Sequence, residues 1–377
     1  MVRRAILFFA AFLLAGSIAP VVAATKGPAA GQTLKAGVIA DVTGAAGVYG
    51  TVQKNAYELA NDDIKSGLLD TGGVNLTFDV QDAASDPNQV ANIMQRFTTD
   101  GTAIILGPTL SAEAFKADPI AVKANIPILA TSNTADGITA MGPCVFRNSL
   151  SEAQVVPVTV DKTEARWKYK TAAIIYGDDN AFTKADYDIF KAALQKHNVK
   201  IVDVETFHTN DVDFQAQLTK IKAKHPDVIV NGALFPEATK IINQAGKLGI
   251  KAHMMGGNGL NSPKVYEVAG PNAQGVVVGS AWFIGGQSGG NGTFVSRYQK
   301  KFGTLPDQFA AQAYAAAQIV AYLAKEGRVT PAALCSGMKT MKTVQTVLGP
   351  YSFEPTRDAK GVPVVLQIVK DGFAYFK

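Results

Sequence analysis

Polar residues follow two apolar segments that are expected to be neighbouring strands of one sheet. Thr109-Leu110-Ser111 comes after the apolar run 103–106 and opens a predicted helix, and Thr131-Ser132-Asn133-Thr134 comes after the run 128–130. The free N–H groups of a helix N-terminus, together with hydroxyl groups, suit a carboxylate. A lone Ser or Thr in such a place is more often a helix cap or a turn residue. Two such loops at adjacent strand ends favour a carboxylate-binding site.

A third loop of interest, residues 44–50, follows the first predicted strand, Leu34 to Ala40, and carries Tyr49. In open α/β sheets, ligands bind beyond the carboxyl ends of the strands. We therefore expect Tyr49 to lie beside the two hydroxyl-bearing loops.

The elements that position these loops alternate between strand and helix in two successive runs. Strands are predicted at 34–40, 74–80, 103–106 and 128–130, and again at 171–176, 201–207, 228–231 and 253–255. Helices are predicted between them at 51–65, from Pro87, and at 112–125, 181–197, 214–224 and 237–248. Repeated βα units predict an α/β protein with two doubly wound parallel sheets.

The last hundred residues break this alternation. After the strand 276–280 and the glycine-rich stretch 285–292 come three predicted helices, at 294–302, 309–325 and 331–341, and then two short strands, at 351–353 and 364–369. Consecutive helices cannot extend a parallel sheet and must pack on sheets already formed. The lobes are therefore expected to be discontinuous in sequence.

Motifs of catalysis and metal binding are absent from the sequence. It contains no G-x-G-x-x-G after a strand, no P-loop and no H-E-x-x-H. The four histidines are scattered without metal-ligand spacing. Adjacent acids such as Asp62-Asp63 and Asp178-Asp179 are typical of solvated surfaces. We expect a binding protein without a cofactor or a metal, rather than an enzyme.

The first residues indicate export. Arg3 and Arg4 precede an apolar run, 5–18, and small residues at 21–24, which is the pattern of a secretory signal peptide cleaved after Ala23 or Ala24. The run is shorter than the roughly 20 residues of a membrane span. Leu14-Ala15-Gly16 is similar to a lipoprotein cleavage box, but Ser17 stands where the lipidated cysteine would be. A free periplasmic protein is expected, with a membrane anchor as the alternative.

Length, charge and cysteine content narrow the class further. A chain of 377 residues is too long for one ordinary core and predicts two domains. The net charge of +5, without a basic block that contains aromatic residues, does not favour nucleic-acid binding. Cys144 and Cys335 are either a disulfide of an oxidising compartment or two buried thiols, and the sequence leaves both readings open.

Short segments that follow one another in the same order over nearly the whole mature chain resemble the periplasmic branched-chain amino-acid-binding family, which includes the leucine/isoleucine/valine-binding proteins. They are Gly37-Val38-Ile39-Ala40, Thr43-Gly44, Tyr49-Gly50, Ile105-Leu106-Gly107-Pro108, Ile126-Pro127-Ile128-Leu129, Val145-Phe146-Arg147, Gln154, Phe309-Ala310-Ala311-Gln312-Ala313-Tyr314-Ala315-Ala316 and Gly349-Pro350-Tyr351-Ser352-Phe353. The resemblance implies a type I periplasmic-binding fold of two lobes on a three-strand hinge. It also implies a monomer that closes on a small ligand and delivers it to the membrane permease of an ABC transporter.

The same resemblance places the lobe boundaries. The chain is expected to cross between lobes near Asn148, Gly279 and Glu354. Lobe 1 then comprises residues 32–148 and 280–354, and lobe 2 comprises 149–279 and 355–377. Both cysteines fall in or beside lobe 1, which favours the disulfide.

Site residues also follow from the resemblance. The family's carboxylate-binding serine falls on Ser111, its backbone-contact position on Ser132 and its second hydroxyl on Thr134. On lobe 2, the family's aromatic residue falls near Phe182. A second family tyrosine falls on Leu234, just ahead of Phe235-Pro236-Glu237.

The sequence departs from the family at the acid that pairs with a ligand ammonium, because Asn258 stands there, in Gly256-Gly257-Asn258-Gly259. Asn258 supplies no charge, and an ammonium buried without a counter-charge is costly. As an alternative, Asn258 simply takes a turn conformation among glycines. We expect a ligand that keeps a carboxylate and lacks the ammonium, such as an aromatic or branched 2-oxo acid or an aromatic carboxylate.

Two other functions remain open on the sequence. Hydrophobic or branched-chain amino acids would be the cargo if another acid, among Asp136, Glu152 and Asp178, reaches the ammonium. A ligand-sensing module for a signalling partner would use the same fold.

Overall fold

The computed structural model describes residues 26–286, 291–370 and 372–377. The predicted signal peptide and its cleavage site lie outside the described residues, as does part of the glycine-rich stretch. Strands are β1 (Thr33–Ala40), β2 (Asn75–Asp82), β3 (Ile104–Leu106), β4 (Ile128–Ala130), β5 (Val145–Arg147), β6 (Thr171–Gly177), β7 (Lys200–Phe207), β8 (Val228–Gly232), β9 (His253–Gly256), β10 (Val277–Ser280), β11 (Val344–Thr346), β12 (Gly349–Phe353), β13 (Ala359–Lys360), β14 (Val364–Val369) and β15 (Gly372–Tyr375). Helices are α1 (Gly47–Lys65), α2 (Pro87–Phe97), α3 (Ser111–Lys123), α4 (Glu152–Trp167), α5 (Ala181–Lys196), α6 (Gln215–Ala223), α7 (Phe235–Lys247), α8 (Lys264–Ala269), α9 (Asn291–Phe302), α10 (Gln308–Lys325) and α11 (Pro331–Thr340).

The first sheet is parallel throughout and has the strand order β2-β1-β3-β4-β5. Apolar side chains leave both faces of its central strands. On one face Ile39 and Ile105 pack against α2 and α3, and on the other Val38 and Leu106 pack against α1 and α10. Strands β3 and β4 are fully buried, as expected for a parallel sheet covered on both sides. The elements on this sheet are called lobe 1 below.

The second sheet has the order β15-β14-β10-β9-β8-β6-β7, and its elements are called lobe 2. Strands β7, β6, β8, β9 and β10 are parallel and repeat the doubly wound order of lobe 1. The sheet is not parallel to its end, however, because β14 pairs antiparallel with β10 and β15 antiparallel with β14. The predicted α/β fold of two doubly wound lobes is confirmed, and the second sheet is mixed because β14 and β15 add an antiparallel edge to it.

Chain direction at the hinge explains the antiparallel edge. The chain leaves lobe 2 at Ser280, the end of β10, and returns at Val364, the start of β14. These two residues face each other in the register. A strand that leaves and a strand that returns at the same place must run in opposite directions. Periodicity identifies a strand but carries no information on its direction.

The helices after β10 pack on lobe 1, as the sequence predicts. Helix α10 is alanine-rich and almost entirely buried, and it packs along α1. A small sheet, β11-β12-β13, places Phe353 edge-on to Phe146 of β5 at 4.9 Å between ring centroids. Because β13 pairs with β12, the chain stays with this sheet through Lys360, beyond the crossing proposed near Glu354.

Cys144, just before β5, and Cys335, in α11, form a disulfide with a Cα–Cα distance of 5.4 Å. The bond fastens α11 to the edge of the first sheet. Among the described residues, no helix combines the length and the apolar character needed to cross a membrane.

Candidate functional site

The loops at the carboxyl ends of the strands of both sheets meet around a narrow cavity between the lobes. The cavity is lined by Tyr49, Thr109, Leu110, Ser111, Ser132, Thr134, Asn180, Phe182, Leu234, Asn258, Gly259 and Phe309. The site therefore receives side chains from both lobes.

Most of the residues that the sequence singles out lie in this lining, but two do not. Asn133 is fully buried behind the wall, where its main-chain oxygen accepts from Arg147 Nη1 and Ser149 Oγ. Phe235 contributes its backbone N–H to Tyr49 and packs beside it, outside the cavity. Sequence reasoning missed Asn180, Gly259 and Phe309. Asn180 had a signal, since Asn before an apolar helical run is an N-cap residue.

The wall from lobe 1 is the N-terminus of α3. Leu110 precedes the helix, and its N–H donates to Glu113 Oε2 over 3.1 Å. The N–H groups of Ser111 and Ala112, in the first turn, have no acceptor within the helix. Ser111 Oγ accepts from the N–H of Ala135 at 3.3 Å, which leaves its hydroxyl proton free for another partner. This wall therefore offers the Ser111 hydroxyl and the N–H groups of the first turn as hydrogen-bond donors.

The hydroxyl groups of Thr109 and Ser132 have a different role, because both are engaged within lobe 1. Thr109 Oγ1 accepts from the N–H of Asp41 and donates to Gln53 Oε1. Gln53 Nε2 donates to Ser132 Oγ over 2.9 Å, and Ser132 Oγ donates to the carbonyl of Thr109 over 2.7 Å. These bonds tie the two loops together and hold their backbones in place beside the cavity.

A buried acid lies directly behind the cavity lining. Glu152, the first residue of α4, is 1% exposed, and its Oε1 accepts from Thr134 Oγ1 at 3.1 Å and from the N–H of Asn258 at 2.9 Å. Its Oε2 is buried and has no partner among the described residues. Burial raises the pKa of Glu152 to about 7. Of the three acids named from the sequence, only Glu152 lies here, since Asp136 is exposed and Asp178 faces His208.

A second buried acid lies behind Asn258. Asp186 is on α5, one turn after Phe182 and on the same face of the helix. A Cβ on Gly257 would come within 2.3 Å of Asp186 Oδ1, so only glycine lets the loop lie this close. Burial, reinforced by the negative charge of Glu152, raises the pKa of Asp186 well above its usual range. The two acids thus form a pair beneath the lobe 2 side of the cavity.

The wall from lobe 2 is built by helix starts and a tight turn. Asn180 Oδ1 caps α5 by accepting from the N–H of Phe182. Leu234 precedes α7, whose second residue is Pro236. Gly259 lies against the carbonyl of Ala233, which a Cβ would approach to 2.3 Å. Asn258 and Gly259 therefore reach the cavity beside Leu234.

The two lobes are in contact across the cavity. Tyr49 Oη donates to the carbonyl of Gly259 at 2.7 Å and accepts from the N–H of Phe235 at 2.8 Å. The Tyr49 ring also packs on Phe309, with ring centroids 4.6 Å apart. The structure is therefore of a closed form.

Known proteins share this architecture. The Leu/Ile/Val-binding protein BraC3 of Rhizobium johnstonii is 26% identical over 336 residues, which cover 88% of this chain and 90% of that protein. A branched-chain amino acid transporter substrate binding protein from Streptococcus pneumoniae, in complex with isoleucine, superposes with a TM-score of 0.84 and 24% identity, over 91% of this chain and 98% of that one. An ABC transporter solute binding protein from R. palustris, in complex with benzoate, gives a TM-score of 0.82 and 21% identity, over 91% and 95%.

Family membership is shown by a match that extends over most of the chain. A family model described as periplasmic binding protein matches residues 33–372, which includes every strand and helix of both lobes up to the start of β15. The chain belongs to the periplasmic binding protein family.

Proposed function

We propose that this protein binds an aromatic or branched 2-oxo acid, or an aromatic carboxylate, in the cavity between its lobes. The protein is a solute-binding component of an ABC transporter, and its family is one of binding proteins rather than enzymes. A membrane permease is its expected partner, and the periplasm its expected location.

The carboxylate of the ligand would bind at the start of α3. The hydroxyl of Ser111 and the N–H groups of the first turn would donate to it, and a helix N-terminus favours negative charge. Hydrogen bonds to a charged group contribute about 1.5–3 kcal/mol each. Several of them would offset much of the cost of removing a carboxylate from water.

The observation that carries the ligand class is at the opposite wall. Asn258 Oδ1 already accepts from Gln308 Nε2 over 2.6 Å. The remaining polar group of the Asn258 side chain is its Nδ2, a donor. A donor suits the oxygen of a 2-oxo or hydroxyl group and does not suit an ammonium. Phe182, Leu234 and Phe309 supply the apolar surface for the rest of the ligand.

The relatives support both an aromatic carboxylate and an amino acid as the ligand. BraC3 is named for leucine, isoleucine and valine, and the R. palustris protein holds benzoate. Cargo with and without an ammonium therefore occurs on this fold. Asn258 favours a ligand without an ammonium for this chain.

Amino acids are the second candidate, because one buried oxygen of Glu152, next to Asn258, has no partner in the described part of the chain. An ammonium at this point would find its counter-charge in Glu152. Such a ligand would have to reach past the donor of Asn258, which is why we place it second.

Binding would act through closure. A ligand that bridges Ser111 in lobe 1 and Asn258 in lobe 2 has higher affinity for the closed form, and it shifts the open–closed equilibrium by that difference. The closed form would then dock on the permease.

A binding screen tests the ligand class. The mature protein, stripped of ligand by unfolding and refolding, is titrated calorimetrically with 4-methyl-2-oxopentanoate, phenylpyruvate, benzoate, leucine and phenylalanine, and thermal unfolding is recorded in parallel. A ligand at 100 times its dissociation constant adds about 2.7 kcal/mol of stability. We expect the acids without an amine to bind. Binding of leucine with no response to the oxo acids would overturn the proposed cargo.

Replacement of Asn258 tests the same point from the protein side. Asn258→Glu should raise leucine affinity by about tenfold, or about 1.4 kcal/mol, because it adds a counter-charge for the ammonium. Asn88→Glu adds the same charge on the exposed start of α2 and serves as the control. A variant that binds leucine no better than the parent would show that the role of Asn258 is misassigned.

A further inference from the structure

We propose that Gln308 is a positioning residue that sets which polar group of Asn258 faces the ligand, and that this setting is anchored on the hinge strand β10. The inference rests on the proposed function for its ligands and extends it from Asn258 to residues that do not line the cavity. It depends on three side-chain amides that are hydrogen-bonded in sequence, called the relay below. Asn261 donates to Gln308, and Gln308 donates to Asn258.

The relay begins at a main-chain group that can only accept. Asn261 Nδ2 donates to the carbonyl of Gly279 in β10 over 3.0 Å. An amide turned the other way would set its oxygen against that carbonyl. The orientation of the Asn261 amide is therefore fixed by the backbone of the hinge strand.

Gln308, the first residue of α10, is fixed by a main-chain group that can only donate. Its Oε1 accepts from the N–H of Ala281 at 2.5 Å, and also from Asn261 Nδ2 at 3.1 Å and Ser280 Oγ at 2.6 Å. A reversed amide would place its NH₂ group against the N–H of Ala281. Because Gln308, Asn261 and Ser280 are all buried, water does not relieve such a clash of donors.

The orientation of the Gln308 amide fixes that of the Asn258 amide. Gln308 Nε2 donates to Asn258 Oδ1, so the Nδ2 group of Asn258 is directed away from Gln308. No described residue accepts a hydrogen bond from this Nδ2, and Asn258 lines the cavity. The donor character of the lobe 2 wall therefore follows from the backbone at Gly279 and Ala281, by way of Gln308.

The relay predicts that one substitution changes the affinities for oxo acids and for amino acids in opposite directions. In Gln308→Glu, one carboxylate oxygen can still accept from Ala281 and Asn261. The other faces Asn258 and can only accept, so Asn258 should turn its Nδ2 toward position 308 and its Oδ1 toward the cavity. The wall then presents an acceptor, which weakens binding of an oxo group and favours an ammonium.

The experiment compares affinities for 4-methyl-2-oxopentanoate and leucine, a pair that differs mainly in the group facing Asn258. Calorimetric titrations are made on the parent, Gln308→Glu, Gln308→Met and a control, Gln318→Glu. Gln318 is on the same helix, accepts from the N–H of Val347 and is remote from the cavity. We expect the ratio of oxo-acid to leucine affinity to fall by about 100-fold in Gln308→Glu, about 2.7 kcal/mol, by about tenfold in Gln308→Met, and to stay unchanged in Gln318→Glu.

The outcomes separate this inference from the proposed function. If the parent prefers the oxo acid and Gln308→Glu weakens both ligands equally, the relay is refuted while the proposed cargo stands. If the parent prefers leucine, the proposed cargo fails, and the relay still predicts that Gln308→Glu raises leucine affinity further. A loss of leucine affinity would then refute the relay.

A second readout needs no ligand and is unaffected by a general loss of stability. The side-chain NH₂ resonances of Asn258 are identified by their loss in Asn258→Asp. In Gln308→Glu these protons should move downfield, as they become bonded to a carboxylate. Resonances that keep their positions, in a variant that gives a folded spectrum, would contradict the relay.

Discussion

The hydroxyl of Tyr49, in lobe 1, donates to the carbonyl of Gly259, in lobe 2, and accepts from the N–H of Phe235, also in lobe 2. One oxygen atom thus makes two hydrogen bonds that exist only while the lobes are together. Gly259 is adjacent to Asn258, so closure and the placement of the lobe 2 wall depend on the same contact.

Tyr49→Phe should therefore favour the open form. It removes both inter-lobe bonds and leaves a buried carbonyl and N–H without partners, at about 1 kcal/mol or more for each. We expect ligand affinity to fall by about tenfold, with a larger radius of gyration in small-angle scattering at subsaturating ligand. Tyr266→Phe, in α8, is the control. Unchanged affinity and scattering would show that Tyr49 does not hold the lobes closed.

The positions of the strand-end loops could be predicted from the sequence because they follow from local patterns. Alternating strand and helix segments determine a doubly wound order, and that order brings the loops after β3 and β4 together. This is why Ser111, Ser132 and Thr134 were found without coordinates, and why they line the cavity.

Features that depend on distant residues were not accessible in this way. The antiparallel pairing of β14 with β10 follows from where the chain returns to lobe 2, which no local pattern records. Phe309 reaches the cavity because α10 packs on α1. The commitment of the Ser132 hydroxyl to Thr109 and Gln53 likewise follows from three segments that meet only in the folded protein.

Ser111→Ala should weaken binding of every carboxylate ligand by a similar factor. It removes one donor at the N-terminus of α3 and leaves the apolar walls unchanged. We expect affinities for benzoate and for 4-methyl-2-oxopentanoate to fall by roughly 10- to 100-fold, measured by calorimetric titration. Ser336→Ala, on the exposed face of α11, is the matched control. If only one of the two ligands is affected, Ser111 does not bind the carboxylate that they share.

Loss of the disulfide should lower stability without changing the site. Cys144 and Cys335 are 191 residues apart in sequence, and both are on lobe 1, remote from the cavity. Cross-links of this kind contribute about 2–5 kcal/mol. The double variant Cys144→Ser, Cys335→Ser should unfold at lower urea concentration, while its ligand affinity at 25 °C stays within about twofold of the parent. A parallel loss of affinity would show that the bond also positions the binding loops.

Stability should fall as pH rises from 5 to 8. Burial raises the pKa of Asp41 to about 6 and those of Glu152 and Asp307 to about 7. A raised carboxyl pKa means that the folded chain holds the proton more tightly than the unfolded chain. The resulting stabilisation is complete below the usual carboxyl pKa and is lost as pH passes the raised values. Acids with lowered pKa values, such as Asp100, lose their contribution only at more acidic pH.

Thermal unfolding of the ligand-free protein at pH 5 and pH 8 measures this effect. We expect Tm to be lower at pH 8 by about 2 °C or more. Glu152→Gln keeps an acceptor for Thr134 and for the N–H of Asn258 but does not titrate, so its Tm should change less between the two pH values. A parent Tm that is equal or higher at pH 8 would mean that these carboxyls are not protonated in the folded chain near neutral pH. Glu152 would then be a permanent negative charge beneath the cavity, and an ammonium would become the better partner for it.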